Sequence, residues 1–218
     1  MLLYLLLSVS YNDNGDQMYH IKETTESQIE VKKSRFIGIL IPVSQEQQIR
    51  EHLASIRRQY PGARHYCYGA IIGGNNRSND DGEPASTAGK PILETLKNHE
   101  LDNVLCVVVR YFGGTLLGTA GLIRAYGQCA SEAVEKAVLT VPTEVMTCYL
   151  KVDYSLTSKA EHLLQSQAVI LERQFTDKAV YIFSSQQDLT EMIRNNIGHQ
   201  AEVSLLKREI IDMEVKQS

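Results

Sequence analysis

Two segments of the chain contain residue types that could bind an anion or transfer protons. Residues 80–91, called the acidic loop here, read DDGEPASTAGKP and offer three carboxylates within four residues. Residues 107–127 read VVVRYFGGTLLGTAGLIRAYG and place several glycines between a β-branched run and an apolar-periodic stretch. A strand, a glycine-rich loop and a helix N-terminus can together present backbone N–H groups to an anion. We therefore expect both segments to lie on one functional surface.

The glycine loop, residues 113–121, is interpreted as an anion-binding element. Its spacing, GGxxxGxxG, matches neither the P-loop nor the dinucleotide fingerprint. Glycines that merely allow tight turns and close helix packing would explain the same sequence, and this alternative stays open. Two flanking arginines favour anion binding, and Thr119 is expected to cap the following helix. The candidate binding residues here are Arg110, Gly113, Gly114, Gly118, Thr119 and Arg124.

The acidic loop allows three interpretations. Clustered carboxylates suit a divalent cation, but the spacing of a calcium-binding loop is missing, and no metal or other cofactor is expected. The same carboxylates could act with a histidine in general acid–base chemistry. An acidic turn that caps a helix and pairs with arginines is favoured, because Asp and Gly are common in turns. The candidate binding residues are His65, Asp81, Glu83 and Lys90.

A nucleic-acid contact would need a local basic patch, since the net charge of the chain is −4. Exposed charges usually form only a solvated face, so this second interpretation also stays open. The basic residues that would form the patch are Lys32, Lys33, Arg35, Arg57, Arg58 and Arg64.

The acidic loop, DDGEPASTAGKP, and the segment VVVRYFGGTLLGTAGLIRAYG resemble the signatures of the IMPACT family, in particular of its bacterial, YigZ-like branch. Shorter matches occur at Lys33-Ser34-Arg35-Phe36 and Ala63-Arg64-His65, and the resemblance runs from about Met18 to the C-terminus. It implies an α+β protein of two domains. The first would be an α/β sandwich similar to the second domain of ribosomal protein S5. The second would be a ferredoxin-like sandwich similar to domain V of elongation factor G. Eukaryotic members of the family regulate translation by competing for an activator of the starvation-responsive kinase that acts on an initiation factor. Bacteria lack that kinase, so only the link to translation carries over.

The length of 218 residues suits two domains, which we place at residues 18–141 and 142–218, with Pro142 at the boundary. Residues 1–17 are interpreted as a non-native or disordered extension that precedes a natural start at Met18. Their apolar part is too short to span a membrane. The four cysteines, without metal-ligand spacing, are expected to be buried thiols in a reducing cytoplasm. They are Cys67, Cys106, Cys129 and Cys148.

Periodicity predicts the elements of both domains. In the first domain it predicts strands at 28–31, 36–43, 66–72 and 104–110, with the last one buried on both faces. It predicts helices at 44–60, 87–98 and 119–139, the first opened by a capping box at Ser44 and Gln47. In the second domain it predicts a βαββαβ order, with strands at 144–154, 169–175, 179–184 and 202–213 and helices at 158–166 and 188–196.

The sequence favours a cytoplasmic regulatory or binding protein linked to translation. Its partner would be RNA, the ribosome or a translation-related protein, with no membrane, and its oligomeric state is left open. The alternative is an enzyme acting on a phosphate-bearing or peptide substrate, in which His65, Asp81 and Glu83 transfer protons. An enzyme would need these groups to converge at a pocket, whereas a binding protein would spread its contacts over an open surface.

Overall fold

The computed structural model describes residues 18–198 and 200–215. The interpretation of residues 1–17 as an extension lies outside the described residues. Within the described part, the chain forms two compact units. One contains residues 18–141 together with 214 and 215, and the other contains residues 142–213.

The first unit is built on an antiparallel sheet of five strands in the order β2-β3-β6-β4-β5. Three helices pack on this sheet, α2 and α3 on one face and α1 on the other. Its elements are β1 (His20–Ile21), β2 (Thr25–Val31), β3 (Ser34–Pro42), α1 (Glu46–Gln59), β4 (His65–Ile72), β5 (Asn75–Asn79), α2 (Gly89–Asn98), β6 (Val104–Tyr111) and α3 (Gly118–Glu135).

β6 is the central strand, and its burial on both faces confirms the prediction. Cys106 and Val108 belong to the core beneath α2 and α3. Val107 and Val109 belong to the opposite core, which Ile49 and other residues of α1 complete. A strand covered on both faces needs apolar residues at every position, and this is why its sequence shows no alternation.

The second unit has the predicted βαββαβ order. Its strands pair in the order β10-β7-β9-β8. β1 pairs with Leu139 and Thr140 at the start of β7, and these two residues belong to the first unit. Two helices cover a core that includes Leu150, Leu164 and Phe183. The elements are β7 (Leu139–Val152), α4 (Thr157–Gln167), β8 (Val169–Phe175), β9 (Ala179–Ser185), α5 (Thr190–Ile197) and β10 (Glu202–Glu214). The described residues therefore form an α+β protein with two antiparallel sheets and five α-helices.

Several predicted boundaries are wrong. The capping box at the start of α1 lies one residue later than predicted, because the Gln48 side chain accepts the backbone N–H of Gln45. α3 ends at Glu135 rather than at residue 139. β7 begins before Pro142, so this proline lies inside a strand.

Two short strands were not predicted. β5 reads NNRSN, and all five of its side chains are polar and exposed. Its sequence therefore lacks the alternation of apolar and polar residues by which strands are predicted. Edge strands of this kind are specified by the turn that precedes them, here Gly73-Gly74, rather than by apolar side chains. β1 has only two residues, which is too short for any periodic pattern.

We predict that Gly69→Ala destabilises the first unit, because Gly69 lies where α2 crosses β4. A Cβ atom at this position would stand 2.6 Å from the backbone nitrogen of Leu93. The free energy of unfolding, measured by urea denaturation, should fall by about 2–3 kcal/mol. Gly73→Ala is the control, since Gly73 has open space and only a φ of +54°. Its cost should stay near 1 kcal/mol. Equal losses in the two variants would contradict close packing at Gly69.

Candidate functional site

The register of the sheet brings most of the candidate residues to one end of it. Arg110, near the end of β6, pairs with Phe36 at the start of β3 and with His65 at the start of β4. The chain enters the glycine loop directly after β6, while the acidic loop approaches His65. Gly82, in that loop, would place a Cβ atom 3.6 Å from the His65 Nδ1.

Glu83 is the point at which the two segments meet. Its Oε1 accepts hydrogen bonds from the Arg110 guanidinium and, at 2.8 Å, from the Tyr126 hydroxyl in α3. The His65 Nε2 lies 3.8 Å from the same oxygen. We call His65, Glu83, Arg110 and Tyr126 the Glu83 cluster. It connects the acidic loop to β4, to the end of β6 and to α3.

The Glu83–Arg110 pair is buried, with side-chain exposures of only 4% and 5%. The Arg110 guanidinium also lies near two aromatic rings, 5.4 Å from the Phe36 centroid and 5.7 Å from the Phe112 centroid. Its Nε is buried and has no hydrogen-bond partner among the described residues. Because both charges are removed from water, each depends on the other, and losing either one is expensive.

The remaining acidic side chains of the loop make structural contacts. The Asp80 carboxylate accepts the backbone N–H groups of Ser86, Ala88 and Gly89 at 2.8–3.0 Å, and thereby caps the start of α2. The Asp81 carboxylate accepts a hydrogen bond from Arg57 at 2.8 Å and another from the backbone N–H of Tyr66 at 2.7 Å. The favoured interpretation, a capping turn paired with arginines, agrees with these contacts. It missed that Glu83 is buried.

The glycines of the second loop serve different purposes. Gly113 donates its N–H to the Ser34 hydroxyl, and a Cβ atom there would stand 2.0 Å from the carbonyl carbon of Lys33. Gly113 therefore allows close packing against the turn between β2 and β3. Gly114 and Gly118 have open space around them but adopt φ values of +84° and +71°, which other residues rarely adopt.

The start of α3 differs from the prediction. The helix begins at Gly118, its cap position is Leu117, and no side chain caps it, so the expected capping role of Thr119 is wrong. Gly118, with a φ of +71°, turns the chain into the helix, so Thr119 lies within the first turn and not at the cap position. The surface beside this helix end is exposed and partly apolar, since Leu116 is 83% exposed. Arg124 is also exposed and lies in the second turn.

The predicted basic patch is arranged around the same end of the sheet. Lys32 and Lys33 are exposed and form the turn that packs on Gly113. Three arginines lie over aromatic rings: Arg35 over Tyr111 at 4.4 Å, Arg57 over Tyr66 at 4.4 Å and Arg64 over Phe112 at 5.6 Å. In the described part of the chain, Arg58, Lys90 and Arg124 form no hydrogen bond, ion pair or ring contact with the Glu83 cluster.

Tyr126, Ser34 and Asp80 are structurally important residues that the sequence interpretation did not assign to the site. Tyr126 lies on the buried face of α3, and its hydroxyl donates to the Glu83 carboxylate. Because the hydroxyl of a buried tyrosine usually has a hydrogen-bond partner, a tyrosine in an apolar-periodic helix could have predicted a buried polar contact. Ser34 is fully buried, although its neighbours in the sequence are both charged. A serine between two charged residues is only a weak signal of such burial.

All four cysteines are buried and unpaired, as predicted. Burial raises the pKa of Cys67 to about 12, and a hydrogen bond with the Tyr126 hydroxyl offsets part of that effect. Burial likewise raises the pKa of Cys129 to about 11. Since the thiolate is the reactive form, these thiols are poor nucleophiles at neutral pH.

Within residues 18–198 and 200–215, no three His, Cys, Asp or Glu side chains are grouped so that they could hold a metal ion. No helix in the same part of the chain has both the length and the apolar composition for crossing a membrane.

We predict that Glu83→Gln lowers the free energy of unfolding by about 3 kcal/mol, because it leaves the Arg110 charge buried and unpaired. Glu46→Gln is the matched control, since Glu46 also pairs with an arginine, Arg77, but at the surface. Its effect should stay below about 1 kcal/mol. In a double-mutant cycle with Arg110→Met, the loss should be smaller than the sum of the two single losses. Strict additivity would show that the pair is not coupled.

Comparison with known proteins places the chain in a family. The Impact N-terminal domain matches residues 32–134. The chain is 38% identical over 167 residues to the IMPACT family member YvyE of Bacillus subtilis, covering 75% of this chain and 77% of that protein. It is 38% identical over 140 residues to the IMPACT family member YigZ of Escherichia coli, covering 62% of this chain and 69% of that protein. A crystal structure described as that of a hypothetical protein covers 87% of this chain and 97% of its own, with 27% identity and a TM-score of 0.57. The chain belongs to the IMPACT family.

Proposed function

We propose that this protein is a cytoplasmic regulator linked to translation, and that it binds single-stranded RNA, free or on the ribosome, at the end of the first sheet. The observation that carries the proposal is the set of cations on aromatic rings beside the basic turn and the glycine loop. The link to translation rests on the resemblance to the family. The proposal includes the two fold assignments that the resemblance implies, a first unit similar to the second domain of ribosomal protein S5 and a ferredoxin-like second unit. The strand order β10-β7-β9-β8 supports the second assignment.

The arginines of this surface are held in place before any ligand arrives. Arg35 and Arg64 are exposed, yet each guanidinium lies against a ring, Tyr111 or Phe112. A guanidinium on a ring loses less conformational freedom when it binds a phosphate. Exposed aromatic rings can also stack with unpaired bases, which is the common basis of single-strand binding. Phe112 is such a ring, since 40% of it is exposed.

The basic turn adds two unpaired cations to this surface. Lys32 and Lys33 follow each other at the tip of the β2–β3 hairpin, which packs on Gly113. Among the described residues, neither lysine forms an ion pair, whereas Arg57 is partly neutralised by Asp81. The expected affinity is modest and strongly salt-dependent, because the net charge of the protein is −4 and the attraction is local.

An enzymatic role is less well supported, because the groups it would use already have internal partners. Glu83 pairs with Arg110 and Tyr126, and Asp81 pairs with Arg57. The His65 Nδ1 lies 2.8 Å from the backbone carbonyl oxygen of Asp81. An acid–base mechanism would require these groups to leave those partners and face a substrate.

We predict that Lys32→Ala, Lys33→Ala and Arg35→Ala together weaken binding of a single-stranded RNA oligonucleotide and flatten its salt dependence. If about four cations touch phosphates, the slope of log K against log salt should be near −3, and the triple variant should reduce it to about −1. Fluorescence anisotropy over a salt series measures both quantities. The charge-matched control is Lys97→Ala, Lys159→Ala and Arg194→Ala, with no expected effect. An unchanged slope in the first variant would move the binding surface elsewhere.

We also predict that Arg124→Ala weakens RNA binding severalfold and reduces the salt slope by about 0.7, the value for one phosphate contact. Arg124 lies in the second turn of α3, whose first N–H groups have no capping side chain. Gln128→Ala, one turn further along the same exposed face, is the control. Full binding by Arg124→Ala, with the triple variant still defective, would limit the glycine loop to a packing role.

A further inference from the structure

β10 is an exposed edge of the second sheet. It pairs with β7, and within the described residues no strand lies on its other side. Its apolar side chains are unusually accessible: Leu205 is 47% exposed, Leu206 56%, Ile210 71% and Ile211 40%. A long edge strand with unpaired backbone groups and exposed apolar residues is a template for pairing with another strand.

The sequence of this strand is complementary to itself. Residues 202–214 read EVSLLKREIIDME, with Arg208 at the centre. If a second copy of the strand pairs with it in antiparallel register about this residue, Leu205 lies opposite Ile211 and Leu206 opposite Ile210. Lys207 then lies opposite Glu209. Apolar residues therefore meet apolar residues, and a cation meets an anion, on both sides of the centre.

The alternation of side chains keeps these pairs on matching faces. Leu205, Lys207, Glu209 and Ile211 share one face of the strand, and Leu206, Arg208 and Ile210 share the other. Two pairs are unfavourable: Arg208 with itself at the centre, and Glu202 with Glu214 at the ends of the strand, where Glu214 already pairs with Lys22 of its own chain. Each guanidinium has a carboxylate of its own chain nearby, since Arg208 Nη1 lies 3.9 Å from Glu144 Oε1. That carboxylate offsets part of the repulsion.

We propose that two copies of this chain associate through β10 into a two-fold symmetric dimer whose second sheets form one continuous sheet. In such an isologous contact, each favourable pair occurs twice. The partner is a second copy rather than an unrelated strand, because both the apolar positions and the charges match under this symmetry.

The other edge of the sheet is less suitable. β8 also exposes apolar residues, including Leu171 and Phe175. Its register with β9 shifts between Ile170 and Glu172, and such irregularities discourage pairing with a further strand. Antiparallel pairing about Glu172 would also place Leu171 opposite Arg173.

Charge exchange across the proposed dimer provides the test. In the full-length protein, sedimentation equilibrium should show a reversible dimer at concentrations up to roughly 100 μM. Lys207→Glu places like charges opposite each other twice per dimer, and so does Glu209→Lys. Each change should raise the dissociation constant about tenfold. The double variant restores both pairs and should return to within about threefold of the parent protein. Circular dichroism checks that all of these variants are folded.

Arg173→Glu, on the β8 edge, is the matched control and should leave the dissociation constant unchanged. A parent protein that stays monomeric over this concentration range would overturn the proposal, whether or not β10 binds a strand of another protein. A dimer unaffected by either single change would also overturn it, because the contact would then lie elsewhere.

Discussion

The buried ion pair between Glu83 and Arg110 is the interaction on which the arrangement of the candidate surface depends. It connects the acidic loop, which precedes α2, to Arg110 near the end of the central strand β6. The Tyr126 hydroxyl extends the connection to α3. Because neither charge has access to water, the loop, the strand end and the helix are fixed relative to one another. Phe36 and Phe112, which lie near the guanidinium, exclude water from the pair.

This constraint keeps the carboxylates of the acidic loop away from the surface cations. They turn inward, where they cap α2, pair with arginines or accept backbone N–H groups, whereas Glu30, opposite Arg35 in the β2–β3 pairing, stays exposed. The cations that remain outside are Lys32, Lys33, Arg35 and Arg64, and two of them lie against aromatic rings. A protein with a net negative charge can thus expose a locally positive surface, as the proposed binding of RNA requires.

The sequence predicted the elements with strong apolar patterns and missed those specified by polar contacts. The burial of the central strand on both faces and the βαββαβ order follow from apolar residues, and the structure confirms both. The polar edge strand β5 and the start of α3 depend on backbone conformation, which apolar periodicity does not report. The burial of Glu83 was likewise unpredictable, because its partners Arg110 and Tyr126 lie 27 and 43 residues away.

The hairpin turn at Lys32 and Lys33 gives a physical reason to regard the exposed cations as functional. Both residues have positive φ values, +47° and +63°, in a two-residue turn of a type that favours Asn and Gly. A residue held in this region costs on the order of 1 kcal/mol or more, so two lysines here make the hairpin less stable than an Asn-Gly turn would. Gly113 packs directly against the backbone of this turn and fixes its position. The turn therefore holds two positive charges beside the glycine loop at a cost in stability, and this strain supports the proposed RNA-binding surface, because strained positions cluster at functional sites.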